Sequence, residues 1–198
     1  MTHPLFNVLE EKVYFDLTDH FDNHRLKNIL EQSPSTSEKI PSGILFEVMG
    51  QIAIQDCYLT TYGDSEHYPE PGDGSPAISC WIEPLPDILS CADWRKAMRA
   101  ITKIAEMGPE SLLHLLRHVR MDPPSIDFMQ LQVGWRPRAS EDMIADFPLF
   151  NRKGKQTAPT SISEVPFGKP VQVLFTLYSV EQCGEKYLYA HLISIAEV

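Results

Sequence analysis

The run Gly43 to Ile54 (GILFEVMGQIAI) limits the fold more than any other segment, because a nearly unbroken apolar stretch of this length has to be buried. Only Glu47 and Gln51 interrupt it, and their spacing of four puts both on one face of a helix. Pro41 and Ser42 supply a helix entry, so the spacing predicts a helix from Gly43 to about Tyr58 that is apolar almost all round and therefore buried. A carboxylate is seldom left in such surroundings unless something pairs with it or uses it. Glu47 therefore reads either as a structural carboxylate bonded to a backbone N–H, an Arg or a Lys, or as a working acid or base. Gln51 either orients that carboxylate or reaches a loop carbonyl.

Elsewhere the pattern is mixed. Val13 to Phe15 reads as a short strand, and Gln32 to Lys39 (QSPSTSEK) as a polar loop. Tyr62 to Pro76 is dense in Gly, Pro and Asp and reads as a surface loop, followed by a buried strand from Ala77 to Ile82. Trp94, Ala97, Met98, Ile101, Ile104 and Ala105 recur at threes and fours, which predicts an amphipathic helix over 92–107. Gly108-Pro109 ends it and opens a second helix reaching Val119, so a helical pair occupies about 92–120. Phe128 to Trp135 reads as a strand, about 137–166 as a long connection, and Val171 to Glu181 with Lys186 to Ala196 as a terminal pair of strands. On the last strand Tyr187, Tyr189, His191, Ile193 and Ile195 are expected to share a face. Too few βα units alternate for a doubly wound sheet. An α+β domain with an antiparallel sheet and helices to one side fits better, as one domain spanning 1–198.

Charge narrows the partners. Seventeen cationic residues stand against 27 acidic ones, a formal charge of -10, and an acidic surface weighs against nucleic-acid binding by phosphate neutralisation and against anionic membranes. Cys57, Cys80, Cys91 and Cys183 form no CxxC pair and no metal-ligand spacing, and no segment has the length and hydropathy of a membrane span. A soluble, reducing, cytoplasmic setting without metal or nucleotide cofactor is the expectation. His114 and His118 have zinc-helix spacing, but Leu115 stands where the metalloprotease glutamate belongs and Arg117 and Arg120 flank them, so they read as a polar face.

From Pro41 the chain reads P-S-G-I-L-F-E-V-M-G-Q. It resembles the central helix of hotdog-fold acyl dehydratases, whose segment runs P-G-x-L-x-x-E-x-x-x-Q, with Pro41, Glu47 and Gln51 coinciding and Ser42 standing where the family has glycine. The resemblance implies a hotdog-like antiparallel sheet wrapped around a buried central helix, with the helical pair as an addition, and a homodimer. It implies an acyl thioester on acyl carrier protein or coenzyme A as ligand, and dehydratase or isomerase chemistry centred on Glu47. Gln51 and Gly43 would then contact substrate. The family histidine falls within QSPSTSEK, which contains none, so His24 or His20 is the nearest upstream partner for proton transfer.

A second reading uses different residues. Arg136, Arg138, Arg152, Lys153 and Lys155 flank Trp135, Phe147 and Phe150, the one basic and aromatic interleaving in the chain. Such a stretch can offer stacking platforms beside phosphate-binding charges. This alternative is a non-enzymatic interaction protein that holds a protein or a single-stranded nucleic acid through residues 135–170.

Overall fold

A strand, not a helix, occupies the apolar run. The structure, a computed structural model, describes residues 13–17, 44–63, 78–107, 119–120, 130–135, 144, 146–182 and 185–198. Its strands are β1 (Val13–Asp16), β2 (Ile44–Ile52), β3 (Ile78–Glu83), β4 (Val119–Arg120), β5 (Gln130–Trp135), β6 (Leu149–Phe150), β7 (Gln156–Thr157), β8 (Val171–Gln182) and β9 (Glu185–Glu197). One helix, α1 (Ile88–Met107), and a 3₁₀ turn (Ile162–Glu164) complete the described elements.

Alternation explains β2. Ile44, Phe46, Val48 and Ile52 belong to the core, whereas Leu45, Glu47, Met49 and Gln51 take the opposite face. Leu45 and Glu47 are nonetheless 0% and 5% exposed, so both faces are covered over part of the strand. A strand buried on both faces loses the polar alternation that would distinguish it from a buried helix. Ring contacts tie three strands together inside: Phe46 lies 6.0 Å from Phe15 of β1 and 5.9 Å from Phe175 of β8.

Five of the strands close on themselves. β2 pairs antiparallel with β3, β3 with β5, β8 with β9, and β8 with β2, while β5 and β9 pair in parallel at Val133↔Ala190. Numbered by chain order within the ring, the strands run first, second, third, fifth, fourth and back to the first. This is a closed Greek-key barrel. β2 shares one edge between β1, at Ile44 to Glu47, and β3, at Gln51 and Ile52. β9 likewise serves β5 near Ala190 and β6 near Ile195.

This topology overturns the hotdog reading. No helix runs through the sheet at Glu47; the interior is filled by inward side chains, among them Ile78, Cys80 and Ile82 of β3, Leu131 and Val133 of β5, and Val171 and Val173 of β8. The homodimer expectation rested on that family alone. α1 does match the predicted amphipathic helix: Trp94, Ala97, Met98 and Ile101 pack into the core on one face. It lies between the second and third barrel strands and sets Trp94 against Gly50 of β2. Of the second predicted helix, only Val119 is described, and it begins a strand rather than ending a helix.

The predicted face of β9 is also corrected. Leu174 pairs with Ser194 but Phe175 pairs with Leu192, so Ile193 is an extra residue that forms a β-bulge. The bulge flips the alternation, and Ile195 joins Leu192 and Ala190 in the core, away from the face of His191.

Candidate functional site

Glu47 sits on the outer face of β2, opposite Asp16 of β1 and Leu174 of β8. Its carbonyl accepts the Leu17 N–H at 3.0 Å. On a strand, residues four apart are separated by about 13 Å, against about 6 Å on a helix, so Gln51 has no geometry for orienting Glu47. Gln51 instead donates through Nε2 to Glu83 Oε1 at 3.0 Å, and Gln130 Nε2 donates to Glu83 Oε2 at 2.9 Å. Glu83 thus ties the first, second and third barrel strands together on their outer face. The dehydratase arrangement is thereby lost: its helix is a strand, its glutamine serves another carboxylate, and His20, His24 and Gly43 lie outside the described residues.

The basic and aromatic stretch divides. Trp135, expected as a stacking platform, is 8% exposed and packs within the core, 6.1 Å from Phe147, itself 0% exposed. Neither can stack on a ligand. Arg136 and Arg138 lie outside the described residues. Arg152, Lys153 and Lys155 are brought together at the tip of the β6–β7 hairpin and are exposed. That tip is well specified by Asn151, whose Oδ1 accepts the N–H of Lys153 at 3.0 Å and of Lys155 at 3.1 Å. Gly154, at φ +70°, donates its N–H to the Asn151 carbonyl, and the left-handed backbone there suits glycine.

Arg152 Nε lies 3.2 Å from Glu197 Oε1, and Lys169 Nζ reaches the same oxygen at 3.0 Å. Within the described residues Lys153 and Lys155 enter no ion pair, which leaves their charge available to an incoming anion. A groove of about 240 Å³ is lined by Leu149, Phe150, Ala158, Pro159, Lys169 and Glu197, among others.

The loop after β2 adds a feature that sequence reading passed over. Its root is pinned: Ala53 N–H donates to the Trp81 carbonyl at 2.9 Å, Tyr58 N–H to the Ser79 carbonyl at 2.8 Å, and Leu59 is 0% exposed. Beyond that root Tyr62 is 76% exposed and Ile54 74% exposed. Asp56 at φ 51° and Gly63 at φ 62° make the turns that throw these side chains outward. Thr61 N–H donates to the Pro159 carbonyl at 2.8 Å, which fastens this loop to the segment leaving the basic hairpin. Lys155 is four positions from Pro159, and at most about 3.6 Å per position keeps the Tyr62 and Lys155 backbones within roughly 25 Å of each other. The available signal was a tyrosine within a Thr-Thr-Tyr-Gly-Asp turn, but turn composition cannot say whether such a ring folds in or out.

An exposed ring, an exposed aliphatic side chain and two unneutralised lysines on adjoining loops equip a surface for stacking and charge contact. Among the described residues no group of three or more His, Cys, Asp and Glu side chains is arranged to hold a metal ion, and no helix is long and apolar enough to cross a membrane.

No protein-family model matches the chain, and no curated protein sequence matches it. Among solved structures, the chain is similar to the single-stranded DNA-binding protein from bacteriophage Enc34 in complex with ssDNA, at a TM-score of 0.47 and 16% identity over 77% of this chain and 85% of that one. It is also similar to gp2.5, a single-stranded DNA binding protein encoded by bacteriophage T7, at a TM-score of 0.40 and 14% identity over 78% of this chain and 91% of that one.

Proposed function

We propose that this chain is a single-stranded nucleic-acid-binding protein built on an oligonucleotide/oligosaccharide-binding barrel. The observation that carries the reading is the strand order of the closed five-stranded ring, with the parallel Val133↔Ala190 pairing joining its third and fifth strands. Barrels of this order bind oligonucleotides or oligosaccharides across the second and third strands and the loops joining the first to the second and the fourth to the fifth. A fold admits several ligands, so the choice between them rests on side chains. Tyr62 lies on the loop between the first and second barrel strands and offers a base a flat partner, while Lys153 and Lys155 offer its phosphates charge. Stacking on an aromatic ring requires an unpaired base, which favours single strands over duplex.

The net charge of -10 shapes the expected behaviour. A broadly acidic protein gains little from long-range attraction, so affinity has to come from stacking and from a few local phosphate contacts. The test is fluorescence anisotropy with a labelled oligothymidylate of about 30 nucleotides, the matched duplex, and a neutral oligosaccharide as competitor, titrated at several salt concentrations. Single strands are expected to bind and duplex to bind more weakly, with log K falling by roughly 1.4 per decade of salt if Lys153 and Lys155 meet two phosphates at about 0.7 each. Failure to bind any single strand at low salt, or displacement by the oligosaccharide, overturns the proposal.

A further inference from the structure

The two ends of the loop that carries Tyr62 bring two thiols into register. Just past the β2–β3 ladder Ala53 donates to the Trp81 carbonyl, and after the turn at 54–56 Tyr58 donates to the Ser79 carbonyl, two residues further along β3. One step before Tyr58 stands Cys57, and one step after Ser79 stands Cys80, so an antiparallel continuation through the Tyr58 to Ser79 bond sets the two cysteines opposite each other. Directly opposed residues next to a hydrogen-bonded pair of an antiparallel ladder sit about 4.5 Å apart at Cα, at the short end of the range a disulfide spans. Both side chains turn to the same side: Cys80 is buried in the core cluster and Cys57 is half-buried against that cluster.

We propose that Cys57 and Cys80 form a cross-strand disulfide, a modification site that closes the base of the loop between the first and second barrel strands. The inference is independent of what the barrel binds.

The oxidant is a small-molecule disulfide of the glutathione class. The Cys57 thiolate, the more accessible of the two, attacks one sulfur of that disulfide; its S–S bond breaks and the departing thiolate takes up a proton. The Cys80 thiolate then attacks Cys57 sulfur in the mixed disulfide, forming the Cys57–Cys80 bond and expelling the second small thiol. Two protein thiols are oxidised and one disulfide is reduced to two thiols.

Burial sets the pace. It raises the Cys57 thiol to about 11, offset in part by the Leu59 N–H that donates to its sulfur. Burial raises the Cys80 thiol well above its usual range, and the neighbouring Cys57 raises it further. Little thiolate is present near neutrality, so exchange is slow there and accelerates about tenfold per pH unit while Cys57 remains mostly protonated.

The experiment treats the native full-length chain with oxidised glutathione at several pH values, alkylates remaining thiols in denaturant, and maps the cysteines by mass. No Lys or Arg lies between residues 57 and 80, so trypsin leaves both cysteines in one peptide, but Glu66, followed by His67, does lie between them. Cleavage after glutamate is therefore expected to yield two peptides joined through Cys57 and Cys80 and separated by reduction, with two hydrogens lost from the intact chain and Cys91 still alkylated. The rate of joining is expected to rise about tenfold per pH unit between about 7 and 9. A lasting glutathione adduct on Cys57, alkylation of both Cys57 and Cys80 after prolonged exposure, or a bridge from either to Cys91 or Cys183 overturns the proposal.

Discussion

Replacing Gly50 by alanine separates the barrel from a buried helix by the sign of its effect. In a helix interior the change from glycine to alanine stabilises by about 0.8–1 kcal/mol, because alanine restricts the unfolded chain and suits the helix. In the barrel, a Cβ on Gly50 would stand 2.7 Å from the Glu83 carbonyl oxygen, 2.8 Å from Ile82 Cγ2 and 3.1 Å from Trp94 Cζ3. Carbon contacts are comfortable at about 3.5–4.0 Å, so the Ile82 methyl has to yield by roughly 0.7 Å or more. The Glu83 carbonyl is backbone, held where Gln51↔Glu83 and Ile52↔Ile82 join β2 to β3, and it cannot move without disturbing that ladder. Overpacking of this kind costs about 1–3 kcal/mol, and a weakened ladder bond adds about 0.5–1.5 kcal/mol. Reduced freedom of the unfolded chain returns about 0.4–1 kcal/mol. The expected net loss is about 1–3 kcal/mol, which lowers Tm by roughly 2–12 °C in a chain of this size. Urea and thermal unfolding followed by circular dichroism measure it. An alanine variant as stable as the parent, or more stable, would refute both the close approach of β2 to β3 at Gly50 and the strand assignment that produces it.

Tyr62→Ala is expected to weaken single-strand binding by about 1–3 kcal/mol, or roughly 5- to 150-fold, while leaving Tm within about a degree, because the ring is 76% exposed and supports no core. Anisotropy and a thermal melt on the same preparation check both halves. Lys153→Ala combined with Lys155→Ala should reduce the salt slope by about 1.4, since each lysine accounts for about 0.7 of it on a single strand, again without loss of stability. An unchanged slope would remove the hairpin from the interface. Glu83→Ala deprives the Gln51 and Gln130 side chains of their acceptor and should cost about 1–3 kcal/mol in urea unfolding. A neutral result would mean that the polar tie across three strands contributes nothing net.

Much of the element map was readable from the chain alone. Strands near 13, 78, 130, 171 and 186 and the apolar face of α1 follow from alternation and from the three-and-four recurrence of Trp94, Ala97, Met98 and Ile101, which depend only on which side of an element is buried. The basic run at Arg152, Lys153 and Lys155 was readable as part of a connection, but the short β6–β7 hairpin that presents it, turned by Asn151 and Gly154, was not. Local pattern failed at residues 44–52, where burial on both faces of β2 removes the period that separates a strand from a helix, and two polar residues four apart satisfy either geometry. That single ambiguity turned Glu47 and Gln51 into neighbours and led to the wrong fold.

What tertiary structure decided is everything that depends on which strand meets which. Barrel closure rests on a parallel pairing between β5 and β9 at Val133↔Ala190, residues nearly sixty positions apart in sequence, and no local propensity encodes such a partner. The same closure turned Trp135 inward against Phe147, shifted the alternation of β9 at Ile193, and left Tyr62 outside its pinned loop. The bond from Thr61 to Pro159 then tied that loop to the segment leaving the basic hairpin. Composition and periodicity report how much of a residue is hidden; only long-range hydrogen bonding determines what hides it, and the proposed interface is made of that second kind of information.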